Sequence, residues 1–163
     1  MKRLIYVVIA LYSITSSSQD AIQEVLSTYN DHSVPYIYAH ELSELTTQPH
    51  LFDTREQEEY KISHLKDAIY LGFNEFEFSK STSLPRDKDT MIVVYCSLGI
   101  RSEIIGKKLI SEGYTQVYNL YGGIFEWINK GKKVYNNKQE TPKVHAYSKH
   151  WGSYLSKGTK VYD

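Results

Sequence analysis

The stretch that decides the fold is Met91-Ile-Val-Val-Tyr-Cys96-Ser-Leu-Gly-Ile-Arg-Ser102. Residues 91–95 are apolar and favour a β-strand, and they lead directly into the only cysteine of the chain. A short loop with Gly99 follows, and beyond Arg101 the apolar residues recur at the three- and four-residue spacing of one helix face. The sequence therefore predicts a buried strand, a tight turn and a helix N-terminus that meet at Cys96.

This strand–turn–helix arrangement favours an anion beside Cys96. Backbone N–H groups of the turn and the positive end of the helix dipole point to one place, and Arg101 adds a fixed cation one turn away. A thiolate, the form of cysteine that acts as a nucleophile, is easier to form in such a field. A buried cysteine at the end of a strand is otherwise a small hydrophobic residue. The residues alone leave these two interpretations of Cys96 equally open.

Three stretches, in this order along the chain, resemble the motifs of the rhodanese-like sulfurtransferases. Residues 96–102 are similar to the active-site loop CxxGxRS of that family. Residues 51–69 are similar to its DxRxxxEYxxGHIxxA signature, although Ser63 stands where the family usually has glycine. Residues 119–127 resemble its closing L-x-GG-x-x-x-W element. The resemblance covers about residues 34–131 of the chain.

Two observations predict the fold class. Strands alternate with helices along the chain, which favours an α/β sandwich with a mainly parallel sheet. The resemblance implies a rhodanese-like three-layer sandwich, in which a mainly parallel five-stranded sheet carries helices on both faces. The Cys96 loop is then expected at the carboxyl end of a central strand, where such folds place their sites.

The family resemblance implies a sulfurtransferase that needs no cofactor. Cys96 would take a sulfane sulfur from a donor such as thiosulfate or a persulfide and pass it to a thiophilic acceptor. The loop residues that would hold the Cys96 persulfide are Ser97, Leu98, Gly99, Ile100 and Arg101. Because Ser97-Leu98 carries no charge, the sulfur donor stays open between thiosulfate and a small thiol or persulfide.

Two other functions remain as alternatives. A rhodanese-like module without activity would bind a partner through its loop and its C-terminal tail, although the intact Cys96, Gly99 and Arg101 argue against this. A phosphatase or arsenate reductase would use the same type of fold with a larger loop. Phosphatases of the dual-specificity kind carry Cys-x5-Arg, whereas the spacing from Cys96 to Arg101 is Cys-x4-Arg. The shorter loop favours sulfur transfer.

Three further residues are expected to support the site. Asp53 and Arg55 lie where a strand meets a helix, and we interpret them as a pair that stabilises the surrounding loops. We expect His64 to fix a turn by hydrogen bonding to backbone, since no spacing joins it to Cys96 in a triad. Glu58 and Glu59 are expected on a solvated helix face. The single cysteine and six scattered histidines show no metal-ligand spacing, so no metal is predicted.

The chain divides into three predicted segments. Residues 1–18 have the layout of a secretory signal peptide, with Lys2-Arg3 before an apolar stretch and small residues after it. An uncleaved anchor or a buried N-terminal element is the alternative. Residues 19–131 form the rhodanese-like domain, beginning with a helix over 19–33. Residues 132–163 are expected to pack on that domain as an extension, and a pocket rim or a partner surface formed by residues 149–152 is the alternative.

The composition limits the partners and the location. Nineteen basic and nineteen acidic residues balance, which argues against nucleic acid as the main partner. The signal segment predicts export to the periplasm or the exterior, without stable membrane association once it is removed. The expected partners are a small sulfur-containing donor and a thiol acceptor. The sequence leaves the oligomeric state open.

Overall fold

A computed structural model describes residues 21–162, and a parallel sheet of five strands forms its centre. The strand order is β1-β5-β4-β2-β3, and every neighbouring pair is parallel. The predicted fold class is therefore confirmed. The five strands are Tyr36–Ile37 (β1), His50–Asp53 (β2), Ile69–Tyr70 (β3), Ile92–Tyr95 (β4) and Val117–Leu120 (β5).

Six α-helices connect or flank these strands within the described residues. None of them is long and apolar enough to cross a membrane. The signal segment predicted at residues 1–18 lies outside the part of the chain that the structure describes. The helices are residues 21–29 (α1), Ala39–Glu44 (α2), Gln57–Ile62 (α3), Ile100–Ser111 (α4), Gly123–Asn129 (α5) and Lys149–Gly152 (α6), and a 3-10 turn covers Phe78–Lys80.

The central strand β4 is buried on both faces of the sheet. Val93 and Tyr95 belong to one hydrophobic cluster, which α1 and α5 complete. Ile92 and Val94 point the other way, into a second cluster that includes residues of α4. Because a strand alternates its side chains between faces, a continuous apolar run is what a strand between two helical layers requires.

The order of the strands places a crevice beside Cys96. From β2 the chain proceeds to β3 at one edge of the sheet, whereas from β4 it proceeds to β5 on the other side. The neighbours β2 and β4 therefore form the point at which the winding direction reverses, and α/β folds bind ligands at the carboxyl ends of such strands. Asp53 ends β2, and Cys96 directly follows β4. The fold thus brings these two loops together.

Residues beyond α5 form two small sheets that lie against the main domain. Strands Val134–Asn136 (β6) and Gln139–Thr141 (β7) are antiparallel, while Lys143–His145 (β8) and Thr159–Val161 (β9) are parallel. Val144 and Leu155 are fully buried in the cluster that also contains Val93 and Tyr95. This segment therefore contributes side chains to the main core.

Two predicted helix boundaries differ from the structure. Helix α1 ends at residue 29, and His32 has a left-handed φ of 57°, which ends the helical path before Pro35. Helix α4 begins at Ile100, because Gly99 takes a φ of 113° and turns the chain into the helix directly after the loop.

Candidate active site

The thiol of Cys96 lies at the bottom of the loop between β4 and α4. The Gly99 N–H donates to Sγ across 3.1 Å, and the Ser102 hydroxyl lies 3.6 Å from the same sulfur. The single proton of the Ser102 hydroxyl is directed to Asn119 Oδ1 at 2.7 Å, so residue Asn119 of β5 fixes the orientation of this side chain. The loop therefore presents the sulfur with hydrogen-bond donors on the side of the helix N-terminus.

These surroundings favour the thiolate. Burial by itself raises the pKa of the Cys96 thiol, but the Arg101 cation and hydrogen bonds from Ser102 and Gly99 act in the opposite direction. The net result is a pKa below the usual thiol value. An anionic group in this position is what the sequence predicted from the strand, the turn and the helix.

Helix α5 holds the loop from below through its first backbone N–H groups. Ile124 N donates to the Cys96 carbonyl at 2.9 Å, and Phe125 N donates to the Ser97 carbonyl at 3.1 Å. This contact requires a glycine at 123, because a Cβ there would lie 2.3 Å from the Cys96 carbonyl oxygen. The Gly122-Gly123 pair therefore serves to position the nucleophile's loop.

Arg101 forms a two-pronged ion pair with Glu59 of α3. The two guanidinium nitrogens lie 2.6 and 2.8 Å from the carboxylate oxygens, and Ser97 Oγ bridges both partners. Burial raises the pKa of Glu59, but the hydrogen bond and charge of Arg101 outweigh it and lower that pKa. The prediction of a solvated Glu59 was wrong, since the residue is only 2% exposed. The Glu59 side chain is buried because its carboxylate pairs with the guanidinium of Arg101.

Asp53 and Arg55 form a second ion pair, and both residues are completely buried. Arg55 Nε and Nη2 donate to the two Asp53 carboxylate oxygens at 2.9 and 2.6 Å, and Nη2 also donates to the Ser63 carbonyl at 2.6 Å. The guanidinium therefore ties the loop after β2 to the end of α3. The two side chains therefore pair with each other, and their role in supporting the site stays a prediction.

His64 makes contacts of a structural kind. Its Nδ1 lies 2.8 Å from the Leu65 carbonyl, its ring stacks on Tyr60 at 4.3 Å, and its backbone pairs with Tyr135. No described contact joins it to Cys96. Among residues 21–162, no group of three or more His, Cys, Asp or Glu side chains is arranged to hold a metal ion.

A pocket of about 180 Å³ opens directly over the nucleophile. The loop provides one part of its lining, and Tyr147 and Trp151 provide the opposite wall. Sequence reasoning named residues 149–152 only as a possible rim and did not identify Tyr147, because nothing in the sequence fixes where the segment after residue 131 returns. Every loop residue predicted for the site, apart from Gly99, lines this pocket: Cys96, Ser97, Leu98, Ile100 and Arg101.

The fold and the site together define an α/β protein with a reactive-cysteine loop at the carboxyl end of a central parallel strand. The family model described as Rhodanese-like domain matches residues 38–130 of the chain. The chain belongs to the rhodanese-like domain family, as its three motifs indicated.

Curated relatives include proteins of two descriptions. The tRNA uridine(34) hydroxylase of Hamiltonella defensa is 35% identical over 120 residues, which are 70% of this chain and 33% of that protein. The thiosulfate sulfurtransferase GlpE of Coxiella burnetii is 33% identical over 76 residues, or 46% of this chain and 67% of that protein. The chain thus spans about a third of the length of the hydroxylase relative.

Solved structures share the fold. A thiosulfate sulfurtransferase from Pseudomonas aeruginosa superposes with a TM-score of 0.60 at 20% identity, covering 85% of this chain and 26% of that one. A rhodanese-related protein from Thermoplasma volcanium gives a TM-score of 0.54 at 25% identity, covering 62% of this chain and 97% of that one.

Proposed function

We propose that this protein is a sulfurtransferase that carries a sulfane sulfur on Cys96. The observation that supports this most directly is the thiol itself, which accepts a hydrogen bond from Gly99 N–H at 3.1 Å and faces an open pocket. Its pKa is lowered by Arg101, Ser102 and Gly99 against the effect of burial. The loop thus favours an anionic sulfur, and a Cys96 persulfide retains one negative charge, which lies on its outer sulfur.

The reaction would proceed in two displacement steps. The Cys96 thiolate attacks the outer sulfur of the donor, the S–S bond of the donor breaks, and its electron pair leaves with the remainder, which is sulfite when thiosulfate is the donor. The persulfide formed on Cys96 keeps one negative charge, which the loop N–H groups and the helix dipole stabilise. A thiolate or cyanide then attacks the outer sulfur and restores the Cys96 thiolate.

We also propose that the protein is exported and that its partners are a small sulfur donor and a thiol acceptor. The support for export is the order of residues 2–18, where two basic residues precede an apolar stretch and a serine-rich end. The volume of the pocket over Cys96, about 180 Å³, supports a small partner.

Intact mass measurement tests the sulfur-carrier proposal. Since Cys96 is the only cysteine of the chain, any cyanide-labile sulfur can be assigned to it. Incubation with thiosulfate, polysulfide or a small persulfide is expected to add one sulfur, and cyanide is expected to remove it as thiocyanate. The Cys96→Ser variant should remain folded and gain no sulfur.

Two outcomes would contradict the proposal. Absence of an adduct with all three sulfur donors would favour a binding module without activity. Hydrolysis of an aryl phosphate by the wild-type protein, lost in Cys96→Ser, would instead favour a phosphatase.

A further inference from the structure

We propose that the segment after the family match selects the sulfur donor. On this view, Tyr147 and Trp151 complete a pocket for an organic sulfane donor with one negative charge and a small hydrocarbon or aromatic body, in preference to thiosulfate. The inference rests on the proposed sulfur transfer at Cys96 and specifies the class of molecule that would deliver the sulfur. It concerns residues that lie beyond 130, where the match to the family model ends.

The wall of the pocket is largely apolar. Leu98 and Ile100 of the loop line the pocket together with Tyr147 and Trp151 of the later segment, and Cys96 belongs to the same lining. The volume of about 180 Å³ is comparable with the apolar cavities of about 150 Å³ that bind benzene in other proteins. An aromatic ring or a short hydrocarbon chain therefore fits above the thiol.

Trp151 is fixed from several sides. Its backbone N–H donates to the Ser148 hydroxyl at 3.3 Å, which caps the short helix α6. The indole meets Tyr29 of α1 edge-on at 5.9 Å and Tyr154 at 6.1 Å. The neighbouring Gly152 is buried against Ala146. The ring is therefore held at the pocket by the fold.

Tyr147 is held over Arg101 in an unusual backbone conformation. Its φ is 64°, a left-handed value that is uncommon for a bulky residue, and its N–H donates to His145 Nδ1 at 3.2 Å. The ring centre lies 5.1 Å from the Arg101 guanidinium carbon. A conformation of this kind persists only where the surrounding structure enforces it, and such residues cluster at functional sites.

The charge of the pocket disfavours a dianion. Among the described residues, Arg101 is the only charged side chain of the lining, and both of its terminal nitrogens are bonded to Glu59. Tyr147 covers its face. Thiosulfate carries two negative charges and no apolar surface. Its entry would remove water from both charges, and the pocket offers no unpaired cation to compensate for that loss. A monoanion with an apolar body meets a smaller penalty and gains contact with the two rings.

Thiosulfonate anions, R–SO₂–S⁻, allow the apolar body to be varied at constant chemistry. The Cys96 thiolate would attack the terminal sulfur, the S–S bond would break, and its electron pair would leave with the sulfinate R–SO₂⁻. The charge is two negative units before and after the step. Cyanide then removes the outer sulfur as thiocyanate and restores the Cys96 thiolate, so thiocyanate release measures the full cycle.

The experiment compares benzenethiosulfonate, methanethiosulfonate and thiosulfate as sulfur donors for the full chain. We expect kcat/KM for the benzene compound to exceed that for the methane compound by about tenfold or more, as burial of an aromatic group predicts. Thiosulfate should be the poorest of the three. Trp151→Ala and Tyr147→Ala should each reduce the benzene-to-methane ratio several-fold.

Tyr38→Ala is the matched control for Tyr147→Ala. Tyr38 and Tyr147 are exposed, at 41% and 53% respectively. The Tyr38 ring packs against Tyr121 at 4.8 Å and does not line the pocket over Cys96. The Tyr38→Ala variant should have the same benzene-to-methane ratio of kcat/KM as the wild type. Because Tyr147 is exposed, its truncation is expected to leave the protein folded, which circular dichroism verifies.

The possible outcomes separate this inference from the proposed function. Equal kcat/KM for all three sulfur donors, with a persulfide formed on Cys96, would overturn the donor selection and leave sulfur transfer intact. A benzene preference that both pocket variants retain would overturn the role of Tyr147 and Trp151. Absence of a Cys96 persulfide with these three donors and also with polysulfide and a small persulfide would reject sulfur transfer itself.

Discussion

At the scale of single residues, Arg101 interacts with both the Cys96 thiol and the Glu59 carboxylate. The positive charge of Arg101 lowers the pKa of Cys96, while the Glu59 carboxylate accepts hydrogen bonds from both terminal nitrogens of Arg101. Glu59 thus fixes the position of the cation and also reduces the field that reaches the sulfur. The ion pair therefore holds the guanidinium in one position, but it also weakens the stabilisation that Arg101 gives to the Cys96 thiolate.

Loss of Arg101 from this ion pair should destabilise the protein more than loss of Glu59. Arg101→Gln leaves the buried Glu59 carboxylate without its partner, and removal of one member of a buried pair costs about 3–5 kcal/mol. Glu59→Gln should cost less, because the Arg101 side chain is 17% exposed and can reach water. Urea unfolding measures both, and the double variant should lose clearly less than the sum of the two. Additive losses would show that the pair is not coupled.

The pH dependence of persulfide formation should report the same field. Because the pKa of Cys96 is lowered in the folded protein, its thiolate persists below the ordinary thiol pKa of about 8.5 and is lost as the pH falls through the lowered value. The rate of sulfur uptake at saturating donor concentration should therefore rise with pH, with a midpoint below the ordinary thiol pKa.

Two variants should move that midpoint in opposite directions. Arg101→Gln removes the cation, so the midpoint should rise toward the ordinary thiol value. Glu59→Gln removes the compensating anion, so the midpoint should fall further. Stopped-flow rates between neutral and alkaline pH measure both, and a shift in the same direction for the two variants would contradict this account.

At the scale of elements, the loop depends on two helix starts. Gly99 is the N-cap of helix α4, and its N–H donates to the sulfur. Gly122 is the N-cap of α5, whose first N–H groups donate to the carbonyls of Cys96 and Ser97. One helix therefore acts on the reactive atom and the other on the backbone that carries it. The glycines at these positions allow the positive φ and the close approach.

Gly123→Ala should damage this arrangement much more than a comparable change elsewhere. The new Cβ would lie 2.3 Å from the Cys96 carbonyl oxygen at a φ of 55°, so the loop or the helix must shift. We expect a loss of about 3 kcal/mol or more in unfolding free energy, together with slower sulfur uptake.

Gly113→Ala is the matched control for this substitution. Its φ is also positive, at 93°, but no atom lies within 4 Å of the added Cβ. It should cost about 1–2 kcal/mol from the backbone conformation alone and leave the uptake rate unchanged. Equal losses in the two variants would show that the contact with Cys96 is unimportant.

The elements around Cys96 were predictable because local chemistry determines them. An apolar run, a glycine and a helix-period segment each follow from neighbouring residues, and β4 and the loop lie where the sequence predicts. Glu59 was assigned wrongly, since its burial depends on Arg101, which is distant in sequence and reaches it only after folding. Tyr147 and Trp151 could not be placed for the same reason.

At the scale of the whole molecule, the chain after α5 is tied to the main core. Val144 of β8 and Leu155 are fully buried in the cluster that contains Val93 of the central strand. Asn129 of α5 bonds to Tyr154 and Ser156, which fastens the same segment from the polar side. The aromatic pocket wall therefore depends on core packing some distance from the site.

Leu155→Ala should destabilise the whole protein by about 2–5 kcal/mol, the usual cost for a buried leucine. Leu45→Ala makes the same change at a position that is 38% exposed, and it should cost less than about 1 kcal/mol. Thermal unfolding compares the two variants. A Leu155→Ala protein as stable as Leu45→Ala would show that the later segment adds little to the core.

Trp151 also provides an optical signal at the site. The chain contains two tryptophans, and Trp127 borders a different cavity with Leu42 and Pro49. In a Trp127→Phe protein, the emission would come from the single indole that faces Cys96. When a donor enters the pocket and displaces water, the emission wavelength and intensity of Trp151 should change. Sulfur uptake can then be followed in real time without a label.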